Sequence, residues 1–374
     1  MTAPLIDSIV TFDLSVIEGR TPATGTNTVL MLLDTADDAT DGNLYVTAAQ
    51  VDGDSGNLTA DAVASIKAVL AASPRVGGVY VWTYDSGAGG GPEAPSDALA
   101  DARDAGIIAL WSYIYVVVHD RADAAIADAA DWIAANATGR AIVAGQLATS
   151  NILSGTVPAT TAASAGASST VIYYDDDDTA PEIERIIGRL ASTDTSTDRP
   201  PGGIITLGTL GAYSTELTQA EVLAASGRDV GQARCLVSAP LYPGASTRTV
   251  WRGYTVGGTL LEVETGAVIT EARILAAIAT LVESRSLPGG TPLRTTDADA
   301  AAIRATVEGV LTSLRSAGYI ESGISADPAT GRPPLPDGFE VSVTFDGSTA
   351  EIRGWIAYPQ DVREITFDLT GFVT

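Results

Sequence analysis

Phe339-Glu-Val-Ser-Val-Thr-Phe-Asp-Gly347 alternates apolar and polar side chains, and the reading of the whole chain starts from it. Phe339, Val341, Val343 and Phe345 fall on one side of an extended strand, with Glu340, Ser342 and Thr344 on the other, as one buried face requires. Asp346-Gly347 supplies a tight hairpin, because glycine takes positive φ at no steric cost. A second strand is predicted over Ala350 to Tyr358, and Pro359 stops it. Ile365, Phe367 and Leu369 then alternate again close to Thr374. A strand placed there has one covalent anchor, so it can pair in its own sheet or complete a neighbour's.

The other end of the chain has the same character. Ile6, Val10, Phe12, Leu14 and Val16 share one parity, with Asp7, Thr11, Asp13 and Ser15 on the other. This long amphipathic strand ends at Glu18-Gly19-Arg20 and Pro22, and a Thr/Gly linker follows.

Between the two ends, short apolar runs alternate with amphipathic helices. Val29 to Leu33 is wholly apolar, as expected of a strand buried on both faces. A polar Asp/Thr/Gly loop follows. Val63, Ile66, Val69 and Leu70 then stripe a helix that begins near Thr59. Strands are predicted over 76–84, 107–118, 141–144 and 171–174, with helices over 98–106, 123–135, 181–190 and 218–225. Residues 149–170 read as irregular. After about Thr247 the rhythm changes: strands over 249–255 and 259–264, then long helices over 271–284 and 297–317. The expected fold is therefore α/β: a mostly parallel-sheet body and a C-terminal α+β domain, with extended terminal strand arms. The expected boundaries are 1–22 for the first arm, 23–245 for the body, 246–358 for the second domain and 359–374 for the last arm.

Composition narrows the function. Among 374 residues the net charge is −25, and Lys67 is the lone lysine among 21 basic residues. A nucleic-acid binder needs a basic face to neutralise phosphates, and none is visible. The same acidity argues against anionic membranes. The longest apolar stretch, Ile107 to Val118, falls far short of the ~20 residues that a membrane span needs. Met1-Thr-Ala-Pro4 lacks the basic start of a secretory signal, so assembly in a cytoplasm is expected. With 45% hydrophobic residues and a mean hydropathy of +0.19, a substantial core is affordable.

Chemical motifs are sparse. Cys235 is the single cysteine and His119 the single histidine, which removes most zinc and triad chemistry. Asp175 to Asp178 is a carboxylate run just after a predicted strand, where α/β folds often bind ligands. A hard cation could sit there, but charge runs are more often solvated loops. Asp52-Gly-Asp54-Ser-Gly-Asn57 starts like a calcium loop, yet Val63 stands where the bidentate glutamate should be. Gly87 to Gly91 has no Gly-Lys-Ser/Thr after it, so a phosphate cradle is not expected. His119-Asp120 ends a strand and is the best candidate general base. No Gly-x-Ser-x-Gly elbow gives it a nucleophile. No catalytic constellation and no cofactor is implied.

The order of local stretches resembles a known family. Ile9-Val-Thr-Phe-Asp-Leu-Ser15, the unit from Ala60 to Tyr80, Tyr115-Val-Val-Val-His-Asp120, Ala130 to Ile133 and Thr170-Val-Ile-Tyr-Tyr174 all contribute. Arg252-Gly-Tyr-Thr-Val-Gly-Gly258, then Leu261-Glu-Val-Glu264 and the helix at Glu271, is the most telling stretch. Leu287 to Arg294, Ser316-Ala-Gly-Tyr-Ile320 and Pro334 complete it. Over nearly the whole chain this is similar to the sheath protein of contractile phage tails and related contractile injection machines.

The resemblance implies a structural subunit, not an enzyme. Copies would polymerise as stacked rings, hexameric by resemblance, around an inner tail tube, with baseplate and tail terminator proteins at the ends. Contraction would drive the tube through the target envelope, and the sheath would belong to a virion tail or an injection machine. Terminal strands would be exchanged between subunits: Ile6, Val10, Phe12, Leu14 and Val16 at one end, Ile365, Phe367 and Leu369 at the other. By resemblance the second domain lies innermost, which makes its long helices candidates for tube contact. Arg304 and Arg315 are close to three helical turns apart and share a side, with Glu308 one turn beyond Arg304. Two other readings stay open: an α/β enzyme using His119 and Asp175 to Asp178, and another strand-exchanging virion or surface-layer protein.

Overall fold

In a computed structural model of the chain, the structure describes residues 9–13, 28–34, 42–72, 76–87, 93–105, 115–136, 141–177, 180–192, 204–207, 210, 213–227, 229–240, 248–251, 253–286, 293–294, 296–326, 333–346 and 349–358. After β1 (Ile9–Asp13) come β2 (Thr28–Asp34), β3 (Asn43–Tyr45), β4 (Gly78–Tyr84), β5 (Tyr115–Val118), β6 (Ile142–Leu147) and β7 (Thr170–Tyr174). Strands β2 to β7 form one six-stranded sheet in the order β3-β4-β2-β5-β6-β7, parallel throughout except for β3 at its edge. The chain is thus an α/β protein on a mostly parallel sheet.

The apolar run of β2 explains why that sheet is covered twice. Val29, Met31 and Leu33 enter one core with Ile66 and Val69 of α2 (Ala60–Leu70) and Ile183, Ile186 and Ile187 of α6 (Glu182–Ala191). Leu30 and Leu32 enter a second core with Leu99 of α3 (Pro95–Asp104) and Ile126 and Ala130 of α4 (Asp123–Asn136). Adjacent residues of a strand point to opposite faces, so a run without polar alternation fits a strand that packs on both sides.

A small antiparallel sheet follows, β8 (Ile204–Leu207), β9 (Val237–Pro240) and β10 (Arg248–Trp251) in the order β8-β10-β9. It is tied to β7, where Leu236 N–H donates to Ile172 O at 2.7 Å and Leu236 O accepts from Tyr174 N–H at 2.9 Å. The sheet spans the expected boundary at residue 246. The last third consists of α8 (Leu261–Ser286), α9 (Asp297–Ser316) and the hairpin β11 (Phe339–Asp346) and β12 (Thr349–Ile356). Ile274 and Ile278 of α8, Val307 and Leu311 of α9, and Val341 and Ile352 of the hairpin join the core that already holds Val29 and Ile66.

Residues 253–261 lock this last third to the sheet. Val256 N–H donates to Thr170 O, and Gly257 N–H to Ala167 O, both at 2.8 Å. A Cβ on Gly257 would stand 2.8 Å from the Cα and N of Ser168, both backbone atoms. Gly257→Ala is therefore expected to cost about 1–3 kcal/mol, as overpacking does. A drop in urea midpoint with an unchanged slope is the check.

Several expectations differ from the structure. The strand predicted over 259–264 is the start of α8. Leu261-Glu-Val-Glu alternates over only four residues, and both acids are buried, so there is no solvent face for a strand to present. The expected polar loop after Asp34 contains β3 and a short helix, α1 (Ala48–Gly53). Thr47 and Gln50 cap that helix reciprocally, a capping box that its sequence carries. The irregular stretch 149–170 contains turns of 3₁₀ helix at Ser150–Ser154 and Ala167–Ser169, with α5 (Ala159–Ala163) between them. Of the strand expected over 107–118, residues 115–118 are extended and the earlier ones lie outside the described residues.

Candidate functional site: a strand-completed edge and a buried charge cluster

The C-terminal hairpin belongs to a three-stranded antiparallel sheet ordered β1-β12-β11, with β12 at its centre and β11 at one edge. Pairing of β11 with β12 runs from Asp346 opposite Thr349 back to Phe339 opposite Ile356. Val341 is buried, with Phe339, Val343 and Phe345 half-buried against the same core, while Glu340, Ser342 and Thr344 are exposed. Beneath the hairpin, α9 presents Ile303, Val307, Leu311 and Leu314, a stripe at helical spacing.

The other edge of β12 is completed by the N-terminal segment. Within the chain, Val10 pairs with Gly354 and Phe12 with Ile352. Of the remaining candidate exchange residues, Ile6, Leu14, Val16, Ile365, Phe367 and Leu369 lie outside the described residues. Among the described residues no strand pairs with the far edge of β11.

The candidate tube-contact residues are spoken for within the chain. Arg304 Nε reaches Glu308 Oε1 at 2.7 Å, one turn along α9. Arg315 pairs with Asp337. Both arginines are partly exposed, but each carries a carboxylate with it, so neither presents an uncompensated cation.

His119 and the Asp175 run are not brought together. The strands that carry them, β5 and β7, are separated by β6. His119 sits just past β5 between the first turns of two helices, with Nε2 3.1 Å from Asp61 Oδ2 of α2 and Nδ1 3.3 Å from Glu184 Oε1 of α6. Glu184 is buried, and Arg121 lies alongside, 3.9 Å from Asp61 and donating to Ala180 O at 3.3 Å. Burial alone pushes the imidazole down, but the hydrogen bonds and charges of Asp61 and Glu184 outweigh it and raise the ring to about 9. In return the His119 hydrogen bond pulls Asp61 below the usual carboxylate range. At neutral pH His119 is an imidazolium with both N–H groups engaged. A general base needs a free lone pair, which this ring lacks.

The carboxylate run fans apart. Asp175 turns inward, its Oδ2 3.5 Å from Gln146 Nε2 and its Oδ1 accepting from Asp177 N–H at 3.3 Å. Asp176 accepts from the N–H of Ser214 at 2.6 Å and from its hydroxyl. Asp178 lies outside the described residues. Among the described residues no group of three or more His, Cys, Asp or Glu is arranged to hold a metal ion. At the other weighed acidic stretch, Asp52 pairs with Lys67, and Asp54 accepts from Tyr45 O–H at 2.5 Å and Asn57 Nδ2 at 2.8 Å. Cys235 is fully buried, and burial pushes its thiol up.

No family model and no curated protein matches this chain.

One polar centre escaped the sequence reading altogether. Arg248, buried on β10, donates from Nη1 to Glu216 Oε1 at 2.6 Å and from Nε to Ser238 Oγ at 3.1 Å. Its guanidinium lies 5.1 Å from the ring centre of Tyr213, whose hydroxyl accepts from Ser238 N–H at 2.9 Å. Those partners come from separate segments, and no local pattern announces them. The longest apolar helix, α8, is long and apolar enough by composition to cross a membrane. Its Ala267, Val268, Ile269, Ile274 and Ile278 are instead buried in the core described above.

Proposed function

We propose that this chain is the structural subunit of a contractile sheath, polymerising in stacked rings around an inner tube. The observation that carries the reading is the sheet β1-β12-β11: its edge strand comes from the opposite end of the sequence. A strand that pairs along a sheet edge through its main chain can be supplied equally by another copy, which is domain swapping by strand addition. On this reading the Thr/Gly linker expected after the N-terminal strand lets β1 of one subunit complete β12 of the next. The alternating segment around Ile365, Phe367 and Leu369 would take the far edge of β11.

The finer architecture belongs to the same proposal: an α/β body, a C-terminal α+β unit and two exchanged arms. So do the partners, namely an inner tube, a baseplate and a terminator, and the place in a virion tail or injection machine. The enzyme reading has less support, because its best base is held as a cation by two carboxylates and its carboxylate run points in divergent directions.

Assembly should be cooperative. Burying Ile365, Phe367 and Leu369 would contribute about 1.5–3 kcal/mol each, and ordering some seven residues costs about 1–2 kcal/mol apiece. One arm alone is near break-even, so growth needs several contacts made together. Net charge also opposes assembly, since copies at −25 repel until salt shortens the field to about 10 Å near 0.1 M. Tubes or stacked rings seen by electron microscopy, more abundant as salt rises, are the expected result. A flat lattice would favour a surface layer. Dispersed monomers at every salt concentration and protein concentration would end the sheath reading.

A further inference from the structure

We propose that the carboxylates of Asp34 and Asp120 hold a hard divalent cation in the crevice where the strand order of the parallel sheet reverses, with the Tyr84 hydroxyl beside it. Such a site is independent of the sheath reading. From β2 the chain runs first to β4 on one side, then crosses to β5, β6 and β7 on the other. In open parallel sheets, ligands bind outside the carboxyl ends of the strands at such a reversal. Asp34 ends β2, and Asp120 lies two residues past the end of β5, the two strands that flank it.

The register aligns the three side chains. Asp34 lies opposite Tyr84, the last residue of β4. On its other side Leu32 pairs with Val118, and His119 N–H donates to Leu32 O at 3.0 Å, so the ladder continues to the residue before Asp120. Alternate residues of a strand share a face. Asp34 follows Leu30 and Leu32, and Asp120 follows Val116 and Val118; these apolar residues line the core that also holds Tyr84. His119 projects to the opposite face, where Asp61 and Glu184 hold it. Ser86 donates its N–H to Asp34 Oδ1 at 3.1 Å and its hydroxyl to Oδ2 at 2.6 Å. That orients the carboxylate and leaves each oxygen a free lone pair. Asp34 is exposed, which gives an ion a way in from solvent.

Tyr84 is the independent sign of a ligand. Its side chain is 1% exposed, and its hydroxyl has no hydrogen-bond partner. The charges of Asp120, Asp34 and Asp128 act on it, Asp128 being engaged by Ser96 N–H at 2.7 Å. A buried hydroxyl without a partner marks a place for a water or an ion. Burial and the Asp34 charge raise the Asp120 carboxyl, with the His119 charge opposing, and a cation between the carboxylates would offset their repulsion. Two carboxylates suffice for Mg²⁺, which keeps several of its waters. One of those waters would give the Tyr84 hydroxyl its missing partner.

Mn²⁺ stands in for Mg²⁺ in the test. Electron paramagnetic resonance on the full chain in about 0.15 M KCl, which screens diffuse counterion binding, should show a saturable site that excess Mg²⁺ empties. Asp120→Asn should weaken it at least about tenfold. Asp52→Asn, in the acidic stretch at α1, should leave it unchanged. Fe²⁺ with ascorbate and peroxide needs no variant to fold: cleavage of the wild-type backbone should fall near residues 34, 84–86 and 120, and Mg²⁺ should suppress it. No saturable Mn²⁺ site, equal affinity in Asp120→Asn, or cleavage only elsewhere would overturn the proposal.

Discussion

If the chain is the sheath subunit proposed above, a version lacking residues 2–15 is expected to fold and to form no tubes. The two cores are built from the parallel sheet, its covering helices and the hairpin, and the pairing of β1 with β12 adds one five-residue strand to an edge. Cooperative unfolding should therefore survive the truncation. What is lost is the covering of β12, along with the segment that would reach the next subunit. An uncovered edge can also aggregate without order, so absence of tubes alone would not be decisive. A peptide spanning residues 2–15 separates the two cases. Added to truncated protein it should suppress aggregation by filling the edge of β12, yet leave assembly blocked because it links nothing. Truncated protein that forms tubes at normal yield would remove strand exchange as the linkage.

The body that should survive this truncation is legible in the sequence. Val29 to Leu33 reads as a doubly buried strand because nothing polar interrupts it, and it lies inside the sheet. The hairpin is legible for the opposite reason: Phe339 to Phe345 alternates strictly, and one face meets α9. Period and turn chemistry are local, so a linear reading captures them. The site chemistry is not local. His119 looks like a candidate base until Asp61 and Glu184 arrive from two helices far along the chain, and the same ring then becomes a structural cation. Likewise Leu261-Glu-Val-Glu264 mimics a strand because its acids alternate with apolar residues, while in the fold both acids are buried, one of them accepting from Ser169 O–H. Burial of a charge depends on a partner, and partners are a property of the fold.

Arg248→Ala is expected to destabilise the chain by about 3 kcal/mol. The guanidinium joins three segments at once. It bonds Ser238 of the neighbouring strand through Nε, and through Nη2 to the Ser238 carbonyl at 3.3 Å; it reaches Glu216 and lies against Tyr213. Tyr213 continues the network into the parallel sheet by donating to Tyr174 O at 3.1 Å, and Tyr173 O–H meets Ser238 Oγ at 2.9 Å. Alanine would take one donor each from the Ser238 carbonyl and hydroxyl, the hydroxyl keeping Tyr173 O–H, and leave a void beside an aromatic ring. Glu216 is about half exposed, so it would rehydrate, and its release adds little. That asymmetry gives the control: Glu216→Gln should cost under about 1 kcal/mol, as a solvated partner does. Arg248→Lys should fall between, since an ammonium keeps the charge but neither the fork nor the stacking plane. Urea unfolding of the three variants checks the ranking. If Arg248→Ala and Glu216→Gln cost the same, the ion pair and not the buried fork is what joins the small sheet to the large one.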